Sequence, residues 1–332
     1  MLANQKRSVL VIGVCLAAAL SVAWLGESRA EGPVRLIFDT DIDTDCDDCG
    51  AVAVLHAMAN TGEVDILATT VSSNYPYSAP CLDAFNRFYG RGQLPVGVPK
   101  RVGAGTARGS RYAKQVARQF PSRFANNDDA PPAVEIIRRV LADAEGQSVR
   151  IVTVGYLTNM ADLLRSQPDS ISPLSGRELI ERKVSRLICM GGRYPEHMDS
   201  GVYGNFKPDP ESARDVAKNW PGTIYFSGLG EDVATGRRRH ELPAHHPLRV
   251  AYDLYLGDRP TRPSWDQTAL LFAVRPEAPY WSTRRAGGNH IFPNGTNRWV
   301  DDDPGDHRLV EFATGQRSAV EVEIERLMMS SE

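Results

Sequence analysis

The chain has 332 residues, of which 42% are hydrophobic and 24% charged, with a formal net charge of −3 at pH 7. That length is enough for one large α/β domain with a sizeable core. The slight acidic balance gives no support for general nucleic-acid binding.

The N-terminus reads as a leader rather than as part of the fold. Lys6 and Arg7 precede an apolar run from Ser8 to Leu25, and Gly26-Glu27-Ser28-Arg29-Ala30 follows. Small residues at Ser28 and Ala30 fit cleavage before Glu31, so residues 1–30 are expected to be a cleaved signal peptide and residues 31–332 one domain. The rival reading is an uncleaved anchor, because the same run is long enough to span a bilayer. Val14 before Cys15 argues against a lipid-modified cysteine. Removing Lys6, Arg7, Arg29 and Glu27 with the leader leaves 35 basic and 40 acidic residues, net −5. The expectation is an exported protein, periplasmic or extracellular, with no membrane attachment after cleavage.

Short apolar runs then alternate with helix-like stretches, the pattern of a mostly parallel sheet with crossover helices. Strands are expected over Val34–Asp39, Asp65–Val71, Val96–Val98, Val149–Val154, Val184–Met190 and Thr223–Ser227. Helices are expected over Asp47–Asn60, Pro80–Tyr89, Ala133–Asp143, Leu157–Arg165, Pro210–Asn219 and Asp266–Val274. Arg101–Pro132 and Glu231–Pro263 are long enough to be lids or walls of a site. Within the second, Arg237-Arg238-Arg239-His240 reads as a solvated loop. Ala286–Asp306 is rich in Gly, Asn and Asp, with little periodicity. The best strands end in polar or Gly-rich residues: DTD, VSSN, TVGYLTN, MGGRY and FSGLG. In such sheets ligands bind beyond the carboxyl ends of the strands.

Residues 36–55 carry the chemistry. The first strand runs into Asp39, Asp41, Asp43, Asp45, Asp47 and Asp48, and a helix follows at once. So many carboxylates at one corner repel one another unless a cation or strong donors neutralise them. Hard oxygen ligands suit Ca²⁺ or Mg²⁺. A helix–loop–helix calcium loop needs Gly at position six and Glu at position twelve, and no register starting at Asp39, Asp41 or Asp43 supplies both.

Four cysteines remain after the leader: Cys46, Cys49, Cys81 and Cys189. Two aspartates between Cys46 and Cys49 argue against a thiolate zinc site, and Cys189 reads as buried. A Cys49–Cys81 or Cys46–Cys81 bridge is feasible in an oxidising compartment, against four free thiols as the alternative. His56 reads as a packed or surface residue. A GxGxxG fingerprint, a P-loop and a GxSxG elbow are all absent from the sequence.

Asp39-Thr-Asp41 with Asp47-Asp48-Cys49-Gly50-Ala51 resembles the DxD…DDA opening of the inosine–uridine-preferring nucleoside hydrolase family, with two extra residues between the halves. The resemblance continues in Thr69–Asn74, in Val154-Gly155-Tyr156-Leu157-Thr158-Asn159, in Met190-Gly191-Gly192 with Asn205 and Pro210-Glu211, and in Trp265-Asp266. It implies an α/β domain with a mostly parallel central sheet flanked by helices. It also implies Ca²⁺-dependent hydrolysis of the N-ribosidic bond of a small-molecule nucleoside. The implied metal ligands are Asp41, Asp45, Asp48, Asp266 and the Val154 carbonyl. Asp41 or Asp45 is implied as the general base. Asp47, Asn74, Asn205, Tyr203 and Trp265 are implied on the substrate. Tyr203 stands where the family often has a Glu for the 5′-hydroxyl. Trp265 stands where a His acts on pyrimidines, which favours purine ribosides. The alternatives are a hydrolase of another riboside or glycan-linked sugar, or a non-catalytic exported protein that binds a ribose-like ligand. Assembly into a homo-oligomer is left open.

Overall fold

Successive side chains along the central strands enter two different buried clusters in turn. Leu36, Phe38, Val152 and Ile188 enter one hydrophobic cluster, and Ile37, Ile151, Leu187 and Cys189 enter another. Successive strand side chains point to opposite faces, so both faces of this sheet are covered. In the computed structural model the described residues are 32–101, 109–194, 196–197, 204–303 and 305–330. The expected leader and Tyr203 lie outside them. From Gly32 onward they form one compact unit.

Among the described residues the strands are β1 (Val34–Thr40), β2 (Val64–Val71), β3 (Val96–Gly97), β4 (Val149–Thr153), β5 (Val184–Met190), β6 (Glu196–His197), β7 (Ile224–Ser227), β8 (Ala234–Thr235), β9 (Arg262–Pro263), β10 (Trp281–Ile291), β11 (Asn297–Asp301) and β12 (His307–Phe312). The helices are α1 (Asp47–Asn60), α2 (Ser78–Phe88), α3 (Ala113–Gln119), α4 (Ala133–Asp143), α5 (Thr158–Arg165), α6 (Gly176–Lys183), α7 (Pro210–Asn219), α8 (Pro247–Leu256), α9 (Trp265–Val274) and α10 (Arg317–Met328). Ten strands form one sheet in the order β3-β2-β1-β4-β5-β7-β12-β10-β11-β6. The first seven are parallel, and β10, β11 and β6 continue antiparallel. One face carries α1, α2, α8, α9 and α10, and the other carries α4, α5, α6 and α7.

The expected parallel sheet and its crossover helices are present. Ala286–Asp306 is not irregular, however. It falls mainly in the β10–β11 hairpin, and Gly287 is there because the Trp299 ring lies against it, 2.4 Å from where a Cβ would be. Arg239 is buried, not solvated, and its guanidinium donates to Asp253 and to the carbonyls of Gly236 and Pro260. The cysteine bridge is not formed: all four thiols are free and buried. Cys49 and Cys81 do share a hydrogen bond, and burial pushes the Cys49 thiol up, which favours the protonated form.

Strands β1, β4, β5 and β7 lie side by side and parallel, so the turns after Thr40, Thr153, Met190 and Ser227 share one rim. The chain order reverses between β1 and β4, which makes this the sheet's switch point. The rim is closely packed. A Cβ on Gly155 would lie 2.3 Å from the Ser72 hydroxyl and 2.5 Å from the Asp41 amide nitrogen. Gly155→Ala is therefore expected to destabilise by about 1–3 kcal/mol and to displace Asp41. Urea unfolding checks this, and an unchanged midpoint would show that the strand ends spread freely.

Candidate active site

The turn after β1 is fixed before any ligand arrives. Asp39 is fully buried and accepts from Thr70 Oγ1 (2.6 Å), Asn159 Nδ2 (2.6 Å) and Thr153 Oγ1 (3.2 Å). It thereby ties β1 to β2, β4 and α5. Burial raises its carboxyl to about 7 against those donors, and the Asp41 charge adds to the rise. Asp43 is buried and accepts from Ser73 Oγ. These aspartates hold the loop.

Beyond them lies a cavity of about 570 Å³. Asp47 and Asp48 open α1 and Asp266 opens α9. The two helices pack together, so two positive helix ends converge on one place. There the carboxylate oxygens of Asp47, Asp48 and Asp266 lie within 4.8 Å of one another, all buried. Burial raises all three carboxyls well above their ordinary value. The Asp45 charge adds to this at Asp47, the Asp41 charge at Asp48, and the Asp47 charge at Asp266. Asp48 Oδ1 accepts from Thr40 Oγ1 and from the Ile42 amide (3.1 Å). A hard divalent cation fits such a site, since it lets three close carboxylates stay ionised together out of water.

Asp41, 5% exposed, lines the same cavity beside this cluster. Asp45 lines it too, but as an ion pair. Both its oxygens lie 2.9 Å from Arg262 Nε, Nη2 also donates to Oδ2, and the Cys46 amide donates to Oδ1 at 2.7 Å. The expectation that Asp45 shares the metal or the base role meets this geometry. Its lone pairs face a guanidinium, and it stands outside the three-carboxylate cluster. Asp47, expected on ribose, stands inside the cluster.

Asn205 lies in the short 3-10 helix Gly204–Phe206, which follows β6. Its amide nitrogen donates to the carbonyls of Val154 and Met190, which leaves Oδ1 as the acceptor for a ligand. Val154, whose carbonyl is expected on the metal, borders the cavity. Trp265 does as well, with the Arg262 guanidinium 4.9 Å from its ring centroid. Asn74, half-buried after β2, is not among the lining residues. His56 is packed: it stacks on Tyr89, pairs with Asn86 Oδ1 at 2.9 Å, and burial lowers it to about 3.

Sequence reasoning missed Tyr156, Arg193, Tyr194, Glu231 and Arg262, all of which line the cavity. Glu231 and Arg262 sit near the two ends of the Glu231–Pro263 segment, which forms a wall as its length suggested. No described residue of the other long segment lines the cavity, but Tyr112 supports it from behind by donating to the Asp45 carbonyl at 2.6 Å.

Several known proteins share this architecture. A plant nucleoside hydrolase superposes with a TM-score of 0.63 at 20% identity, covering 90% of this chain and 99% of that one. A purine-preferring ribonucleoside hydrolase from Gardnerella vaginalis gives 0.64 at 16% identity, covering 89% and 99%. In sequence, the inosine-uridine preferring nucleoside hydrolase of Crithidia fasciculata is 29% identical over 204 residues, 58% of this chain and 59% of that protein. The Leishmania major enzyme of the same description is also 29% identical over 204 residues, 60% of its length. The match thus spans less than two thirds of either relative. The family model of the inosine-uridine preferring nucleoside hydrolases, by contrast, matches residues 36–326, from β1 into α10, and the chain belongs to that family.

Proposed function

We propose that the protein hydrolyses the N-ribosidic bond of nucleosides, purine ribosides above all, with Ca²⁺ as its metal. The observation that carries this reading is the meeting of Asp41, Asn205, Trp265 and the Asp47–Asp48–Asp266 cluster in one cavity. In the reaction the C1′–N bond breaks, its electron pair leaves with the base, and the hydroxyl of water bonds to C1′. Bound Ca²⁺ would supply electrostatic positioning for that water and for the 2′- and 3′-hydroxyls. Asp47, Asp48 and Asp266 would hold it, joined by the Val154 carbonyl. Asp41 takes the water's proton as general base, because Asp45 is committed to Arg262. Asn205 Oδ1 receives a ribose hydroxyl. Trp265 gives an aromatic face for the base, and the sugar becomes oxocarbenium-like as in other glycoside hydrolysis.

The test is a nucleoside panel with added Ca²⁺ and a free-ribose readout. Purine ribosides should be cleaved faster than uridine. Trp265→Ala should lower kcat on purines more than it raises KM, since stacking strengthens as the base leaves. Equal rates on inosine and uridine, or an unaffected Trp265→Ala variant, would remove the purine assignment. Release of ribose from no nucleoside would remove the reading itself.

A further inference from the structure

Of the two arginines that line this cavity among the described residues, Arg262 is the more firmly held, while the Arg193 guanidinium makes one 3.4 Å contact with Glu231. Asp45 holds Arg262 through the Nε–Nη2 side of the guanidinium. Its plane centre lies 4.9 Å from the Trp265 ring centroid and 5.5 Å from that of Tyr255. Asp45 is fixed in turn by the Cys46 amide on Oδ1 and by Tyr112 on its carbonyl. No described residue accepts from Nη1. Arg262, Asp45 and Trp265 all line the cavity that holds the carboxylate cluster. A guanidinium held along one side keeps its Nη1–Nη2 end free for two parallel hydrogen bonds.

We propose that Arg262, held over Trp265 by Asp45, selects the leaving base by donating to a pair of acceptors on its edge. The acceptor pair that fits a guanidinium fork is O6 with N7 of a 6-oxopurine. A 6-aminopurine presents a donor at that position, and unsubstituted purine presents only N7. The contact strengthens as the departing base takes the bond's electrons, so it acts on kcat as well as on binding. Asp45 is then a positioning residue. The inference rests on the nucleoside reading above and adds to it the residue that sets base preference.

The experiment compares inosine, adenosine and purine riboside on the full protein with Ca²⁺. The wild type should favour inosine over purine riboside by about ten- to a hundredfold in kcat/KM. Arg262→Ala should bring that ratio to within about threefold of unity. Arg262→Lys keeps the charge opposite Asp45, and so the fold, but lacks the fork; it should lose most of the ratio too. Asp45→Asn should lower the ratio partly while leaving the metal content unchanged. A second readout needs no turnover: binding of free hypoxanthine against free purine, followed by tryptophan fluorescence, should show the same preference and the same loss in both Arg262 variants. Unchanged ratios in folded Arg262→Lys would overturn the inference even if ribose is released. If the wild type cleaves no nucleoside, the binding arm alone decides, and an equal preference in wild type and variants overturns it.

Discussion

Asp48→Ala is expected to leave the purified protein without a stoichiometric divalent cation and to lower ribose release by about 10³-fold. Asp48 is fully buried, and its Oδ1 is already engaged by the Thr40 hydroxyl and the Ile42 amide. Its other oxygen is therefore aimed rather than free to rotate. Removing the side chain deletes one of three clustered carboxylates and also takes the acceptor from the buried Thr40 hydroxyl, while the Ile42 amide keeps only its 3.2 Å bond to Thr40 Oγ1. The second effect costs stability by itself, about 1–3 kcal/mol. Asp48→Asn separates the two effects. An amide oxygen still accepts from Thr40 and Ile42, but the charge is gone. The Asn variant should unfold near the wild-type midpoint, yet bind no metal and turn over as poorly as the Ala variant. Metal analysis and the ribose assay check this together. A wild-type protein with no metal, whose stability and activity ignore added Ca²⁺, would show the cluster is held by protons instead.

The acidic corner was legible because its signal is local: six aspartates run from the end of β1 into the start of α1, within ten residues. The core strands were legible because both faces are buried toward their carboxyl ends, so each holds a short apolar run after its arginine: LIF in β1, IV in β4 and LICM in β5. Helices α8 and α10 were legible in principle and passed over. Leu248, Ala251, Tyr252 and Leu256 are buried on one, and Val320, Ile324, Leu327 and Met328 on the other, all at helical spacing. The β-branched residues of α10 obscured it. The β10–β11 hairpin was hidden for another reason. Its glycines answer to the Trp299 ring and to Asp303, and no residue of their own carries the pattern. Arg262 had no local signal at all, since its partner Asp45 is 217 positions away. That distance also explains Asp45. From the sequence it was one more carboxylate near a metal, and only the long-range ion pair separates it from Asp41.

Without a bound cation, the protein is expected to lose stability as pH rises from about 6.5 through about 7, where the folded Asp39 carboxyl ionises. Asp39 has a carboxyl raised from 3.8 to about 7, first by burial. Asp47, Asp48 and Asp266 are also raised well above their ordinary value, first by burial and then by the neighbouring aspartate charges. In the unfolded chain these groups ionise at their ordinary values. Above those values the folded, cation-free state holds more protons than the unfolded one, so stability declines with rising pH until each folded group has ionised. Three histidines act in the opposite sense. Burial lowers His56 to about 3 and His246 to about 4, and it lowers His307 as well, which favours the neutral form of each in the fold. Their contribution grows as pH rises toward the ordinary histidine value of 6.5 and is then complete. Above that point the carboxylates alone set the slope. Ca²⁺ at a hundred times its dissociation constant should add about 2.7 kcal/mol and flatten the decline, because a cation favours the ionised form of the same groups. Urea midpoints across this range, in chelator and in excess Ca²⁺, read both effects. Parallel slopes in the two buffers would mean that the buried carboxylates and the cation do not share one site.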